Sequence, residues 1–140
     1  MTTQEVKAWL IGVKNSQIEF KFARDKYNEL YKQLQCSKPI QYGNNGSSHE
    51  SKRNSVESAY ILLDQYEREY HYKMQAAFDA RTTAEKYINQ LPFPDRAVIY
   101  RRYICGQTWE CIADSLMYSR QHVTRIHGRA MQKMCLYVTL

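Results

Sequence analysis

DRAVIYRRYICGQTWECIADSLMYSRQHVTRIHGRAMQKM, residues 95–134, decides the fold. Its start and stop signals cut it into three short helices. Asp95 is placed to cap a first helix whose Val98, Ile99 and Tyr103 offer an apolar face, and Gly106 supplies the left-handed residue that ends it. Thr108 then caps a second helix with Glu110 in its first turn and Trp109, Ile112, Ala113 and Leu116 on its packed side. After a very short connector, Ser119 caps a third helix from Arg120 to about Met134.

Two short helices joined this tightly, with a small residue such as Ala113 where they approach, form a helix-turn-helix. At 100° per residue the third helix carries Val123, Ile126, Ala130 and Met134 on one side. Gln121, Arg125, Gly128 and Gln132 fall opposite, flanked by Arg120, Thr124 and Arg129. Arginine chelates guanine bidentately, glutamine pairs with adenine and threonine meets a base or a phosphate, so this side holds groove-reading chemistry. Arg120, Gln121, His122, Thr124, Arg125 and Arg129 are the expected DNA-binding residues, with His122 placed for a phosphate and Arg129 expected to face solvent. His127 lies nearer the core, as a packing residue.

Upstream, no proline interrupts residues 3–35, and alternating steps of four and three give Val6, Leu10, Val13, Gln17, Phe20, Arg24, Tyr27, Tyr31 and Leu34. That is a helix with a coiled-coil-like seam, capped at Thr3. Residues 36–53 concentrate Pro39, Gly43, Asn44, Asn45, Gly46, Ser47 and Ser48, the composition of a flexible connector. A second long helix, about Asn54 to Gln90, repeats Val56, Leu63, Tyr70, Ala77, Ala84 and Leu91 at heptad spacing, with Tyr60, Met74 and Ile88 beside them. Pro92 and Pro94 stop it. The expected architecture is all-α: a long antiparallel helical hairpin over 1–91, for assembly or partner binding, followed by the helix-turn-helix domain over 92–140.

Composition narrows the function. A chain of 140 residues leaves little material for a catalytic cleft beside these elements. The net charge of +6 is uneven: residues 1–91 hold 13 basic and 11 acidic side chains, whereas 92–140 hold 7 and 3, and no carboxylate side chain follows Asp114. Such a surface suits a polyanion. Cys36, Cys105, Cys111 and Cys135 form no C-x-x-C pair and no metal-ligand spacing with the four histidines, so no metal is expected and the thiols are read as free, small core residues. No nucleotide-binding glycine loop, G-x-S-x-G elbow or magnesium-holding acidic cluster appears, and neither an enzyme nor a cofactor is expected. Without a leader or a long apolar run, the protein is expected in a reducing cytoplasm rather than at a membrane.

The run RAVIYRRYICGQTWECIADSLMYSRQHVTRIHGRAMQKM resembles region four of bacterial housekeeping sigma factors, which reads an upstream promoter element. Within it, RRYICGQTWECIADSLMYSRQHVTRIHGRAM is similar to ArpU/RinA-type regulators of phages and prophages of Gram-positive hosts, which carry a long helical N-terminal part and activate late or packaging genes. Over residues 91–135 the resemblance implies that Arg120, Gln121, Thr124 and Arg125 contact bases and phosphates. The chain departs from the sigma pattern in having Gln121 where an acid is usual and Thr124-Arg125 where Arg-Gln is usual, so a base preference does not carry over.

Three functions follow as expectations. The first is a sequence-specific regulator of phage or prophage origin that binds double-stranded DNA, activates late genes and self-associates, a dimer being favoured. The second is a small-terminase-like subunit that recognises packaging sites. In the third, the partner is RNA polymerase and DNA is not read.

Overall fold

The computed structural model describes residues 1–36 and 49–138. Five helices follow in order: α1 (Thr3–Cys36), α2 (His49–Ile88), α3 (Asp95–Ile99, continuing through a wider turn over Tyr100–Ile104), α4 (Trp109–Leu116) and α5 (Arg120–Tyr137). The fold is all-α, with α1 and α2 forming the long hairpin and no strand among the described residues. The expected connector lies, over 37–48, outside the described residues, and α2 begins five residues earlier than its heptad pattern indicated.

The cap of α1 is Thr2 rather than Thr3. Thr2 Oγ1 accepts from the Glu5 amide at 3.2 Å while Glu5 Oε2 accepts from the Thr2 amide at 2.7 Å, so two otherwise orphaned donors are satisfied reciprocally.

Packing divides the chain into two compact units, residues 1–18 with 75–140 and residues 19–74. In the first unit, Val6, Leu10 and Val13 of α1 and Ala84, Ile88 and Leu91 close a core with Ile99, Tyr103, Ile104, Ala130, Met131, Met134 and Val138. Gln17 Nε2 donates to the Ala77 carbonyl at 2.8 Å, and Trp9 meets Tyr87 edge-on, 5.9 Å between ring centres. A second cluster, Val98, Ile112, Ala113, Val123 and Ile126, joins α3, α4 and α5 under Trp109, Leu116 and Tyr118. The periodicity of the third helix therefore marks its buried side correctly.

Residues 19–74 are held differently. Tyr70 stacks on Phe20 at 5.7 Å and on Tyr27 at 5.8 Å, flanked by the ion pairs Lys26–Glu69 (3.0 Å) and Lys73–Glu19 (2.9 Å). Ala23 is the one fully buried apolar residue of this unit among the described residues. Val56, Tyr60, Met74 and Tyr31, expected in the seam, are exposed instead, because two helices without a third layer cover only a narrow stripe of each other. Glu67 and Arg81, which interrupt the heptad pattern, are solvent-facing and pair along their own helix with His71 and Glu85.

Candidate nucleic-acid interface

The helix-turn-helix is α4, a three-residue turn and α5. Each helix starts as its sequence dictates: Thr108 Oγ1 accepts from the Cys111 amide at 3.2 Å, and Ser119 Oγ from the His122 amide at 3.1 Å. The α4 terminus is a Schellman motif in which the Tyr118 amide donates to Ala113 O at 3.0 Å and the Met117 amide to Asp114 O at 3.3 Å. Met117 takes the left-handed conformation, φ 58°, that such a turn demands and that glycine usually supplies. Its side chain reaches into solvent, so no packing interaction explains the choice of residue.

Before α4, the chain widens by one residue. The Cys105 amide donates to Tyr100 O at 3.1 Å, a step of five, and Gly106 follows at φ +70°. Tyr103 and Ile104 are both buried by this turn, whereas Cys105 is left exposed. Cys111, on the outer side of α4, is exposed as well. The expectation that the thiols serve as core residues is therefore corrected for Cys36, Cys105 and Cys111; all four are free and Cys135 is half-buried.

On α5, Arg120, Gln121, His122, Thr124 and Arg125 are all exposed, and Gly128 continues the same surface. Arg125 and Gln121 make no side-chain hydrogen bond or ion pair to a described residue, leaving their polar groups facing water. Arg120 Nη1 meets Glu110 Oε1 at 2.9 Å, a pair more than half exposed on both sides. Thr124 Oγ1 donates to Arg120 O at 3.0 Å, and His122 packs edge-on against Tyr118 at 4.7 Å.

Arg129 differs. Its guanidinium donates to Asp95 Oδ1 through Nη2 at 2.6 Å and Nε at 3.2 Å, while Lys133 Nζ takes Oδ2 at 2.8 Å. Arg129 is thus not a freely solvated arginine, although half of its side chain remains accessible. Asp95 corrects a second expectation. It does not cap α3, whose N-cap is Pro94 with no side-chain bond; its fully buried carboxylate turns toward α5. Burial works to raise its pKa, but the hydrogen bonds and charges of Arg129 and Lys133 prevail and hold it below the usual value.

His127 is the packing residue its position suggests. Its Nε2 lies 2.8 Å from Tyr103 Oη and its ring meets Trp109 edge-on at 4.9 Å. Burial, with the nearby charges of Lys7 and Arg102, lowers its pKa to about 4, so the ring is neutral at physiological pH. Arg102 donates to Gln107 O at 3.1 Å and lies over the Trp109 ring at 4.4 Å. It pairs with neither Asp95 nor Glu110, since both carboxylates are engaged by α5.

No helix among the described residues is long and apolar enough to cross a membrane. No curated protein and no solved structure matches the chain. Sigma region 4 domains bind DNA and interact with RNA polymerase, and they are regulatory rather than catalytic. Residues 87–134, which span the end of α2, α3, α4 and most of α5, match the family described as Sigma-70, region 4, and so carry a helix-turn-helix of the kind used in DNA-binding transcription regulation.

Proposed function

We propose that this protein is a sequence-specific transcription regulator that places α5 in the major groove of double-stranded DNA. The observation that carries the reading is the unpaired, solvent-facing Gln121 and Arg125, beside Arg120 and Thr124, on a helix whose other side is packed into the matched domain. Arg125 supplies base discrimination, Gln121 and Thr124 add base or phosphate contacts, and Arg120, His122 and Arg129 meet the backbone. Roles divide at about residue 91: the segment beyond it reads DNA, and the hairpin before it assembles the protein.

Self-association as a dimer fits this division, since exposed Phe22, Tyr60, Ile61 and Tyr72 leave residues 19–74 with apolar surface to cover. The finer reading, a phage or prophage activator of late genes, rests on the resemblance of residues 91–135 to ArpU/RinA-type regulators. Host RNA polymerase is then a second partner, contacted through the sigma-like domain.

The test is Arg125→Ala, titrated on matched and scrambled DNA at several salt concentrations. The cost on the specific site is about 1–3 kcal/mol, with relaxed preference at one base position and an unchanged melting temperature. A folded variant that binds like the parent overturns the reading and leaves polymerase contact without DNA reading in its place. Binding in stoichiometric rings at a packaging site would instead select the terminase-like role.

A further inference from the structure

Beside the helix-turn-helix lies a cleft of about 330 Å³ lined by Lys7, Ile11, Lys14, Asn15, Ile18, Arg102, Tyr103 and Trp109. It lies wholly within the unit formed by residues 1–18 and 75–140. Lys7, Ile11, Lys14 and Ile18 recur at helical spacing, so α1 presents them along one side while Val6, Leu10 and Val13 enter the core on another. Three cations share this space, and no carboxylate is among its lining residues. Neither Lys7, Lys14 nor Arg102 forms an ion pair with a described residue. Their like charges act in the same sense on their surroundings: burial and then the Arg102 charge lower the Lys14 pKa, and Lys7 and Arg102 add to the depression that burial causes at His127. A like-charged cluster without a counter-charge is a cost to the folded chain that an anion would relieve.

The location indicates which anion. Trp109, one wall of the cleft, is followed by Glu110, which holds Arg120 at the start of α5. The first turn of α4 thus carries both a wall of the cationic cleft, Trp109, and the carboxylate that holds the N-terminal end of the candidate reading helix, Glu110. Lys7 and Lys14 lie outside the matched residues 87–134, so α1 brings them to the helix-turn-helix from beyond the matched domain.

We propose that Lys7, Lys14 and Arg102 form a phosphate-binding site that grips the DNA backbone next to the segment read by α5. α1 then does more than pack: it extends the electrostatic footprint of the helix-turn-helix without adding sequence preference. The site rests on the reading of α5 as a DNA-contacting helix, and its test separates the two.

The experiment measures the dependence of DNA affinity on salt for the full chain, the Lys7→Gln/Lys14→Gln variant, the Lys7→Arg/Lys14→Arg variant, and Lys21→Gln/Lys32→Gln as a control with the same charge change on exposed lysines elsewhere on α1. Lys7→Gln/Lys14→Gln should weaken specific and scrambled DNA alike, roughly tenfold at low salt, and lower the slope of log affinity against log salt by about one to two. The arginine pair and the control should keep the parental slope. A parental slope in Lys7→Gln/Lys14→Gln, with Arg125→Ala still losing discrimination, overturns this site alone; no salt-dependent DNA binding by the parent overturns both readings. An equal loss of slope in the control also overturns it, as a general charge effect. Thermal melts with inorganic phosphate at fixed ionic strength distinguish the source of the anion. Stabilisation that requires Lys7 and Lys14, together with an unchanged DNA slope, would assign the cleft to a free anion and overturn the DNA proposal.

Discussion

Arg129 Nη2 lies 2.6 Å from Oδ1 of Asp95, a carboxylate with no exposed surface, and the contact ties the middle of α5 to the first turn of α3. Lys133, one helical turn further, closes on the other oxygen. The orientation of α5 is thereby fixed by a charge cluster at the edge of the domain as well as by apolar packing beneath it. Any role of Arg129 at a phosphate is superimposed on this structural one.

Asp95→Ala should destabilise the fold by about 2–3 kcal/mol, below the usual cost of breaking a buried pair because both stranded cations can return to water. Arg129→Ala should cost less, about 1–2 kcal/mol, because Lys133 still serves Asp95. The Asp95 carboxyl is held below its ordinary pKa, so its contribution is present above the ordinary carboxylate range and disappears as pH falls through its folded-state value. Urea unfolding of both variants at neutral pH and at pH ~3 checks this. Parental stability in Asp95→Ala at neutral pH would show that the cluster contributes nothing.

The sequence made the local parts of this site legible and left the tertiary parts hidden. Thr108, Ser119 and Gly106 act through their own neighbouring backbone, so residue type at a fixed offset was enough to place them. The buried side of α5 followed from its period, and with it the exposure of Arg120, Gln121, Thr124 and Arg125. Asp95 carries a misleading signal, since an acid before a helix is a normal capping residue and only the approach of α5 turns it inward. Met117 carries no left-handed signal at all, and the exposed thiols of Cys105 and Cys111 show how weakly cysteine type alone predicts burial. The meeting of Lys7, Lys14 and Arg102 joins helices some ninety residues apart in sequence, which no local pattern encodes.

Acid should weaken the domain through His127. Its folded-state pKa of about 4 lies below the ordinary 6.5, so between those values the unfolded chain binds more protons and stability rises with pH. Stability is therefore lost as pH falls from 6.5 toward 4 and levels off below. Partial exposure screens the effect to about 1–2 kcal/mol. Chemical denaturation across this window, with the parent against His127→Gln, should show a shallower pH slope in the variant. Identical slopes would place the titration elsewhere.

Leu10 is fully buried against residues of α2, α3 and α5, and six of the thirteen buried members of that core precede residue 92. Leu10→Ala should cost about 2–5 kcal/mol. Residues 92–140 alone should fail to fold cooperatively, whereas residues 1–18 joined through a flexible linker to 75–140 should fold, since Gln17 and Ala77 already meet across the junction. Circular dichroism melts of the two shortened chains distinguish the outcomes. A sharp melt from 92–140 would mean that α1 is dispensable to the domain.

Gly128 offers a test in which stability and binding move in opposite directions. It sits inside α5 on the exposed side, where a Cβ would meet no heavy atom within 4 Å beyond its chain neighbours and the backbone of its own helix, and Gly12 of α1 is equally unobstructed. Neither has a positive φ that would require glycine. Each glycine-to-alanine change should therefore stabilise its helix by about 0.5–1 kcal/mol, chiefly by restricting the unfolded chain, and raise the melting temperature by a few degrees. Gly12 lies outside the helix-turn-helix, so Gly12→Ala should leave DNA affinity unchanged. Gly128 lies between Arg125 and Gln132 on the side proposed to enter the groove, and an added methyl there should hold the helix away from the DNA. Gly128→Ala should then bind specific DNA several-fold more weakly while melting higher than the parent, a combination that loss of fold cannot produce. Equal affinity in Gly128→Ala and the parent would show that this turn of α5 stands clear of the DNA, confining the contact to the first turns, around Arg120, Gln121, Thr124 and Arg125.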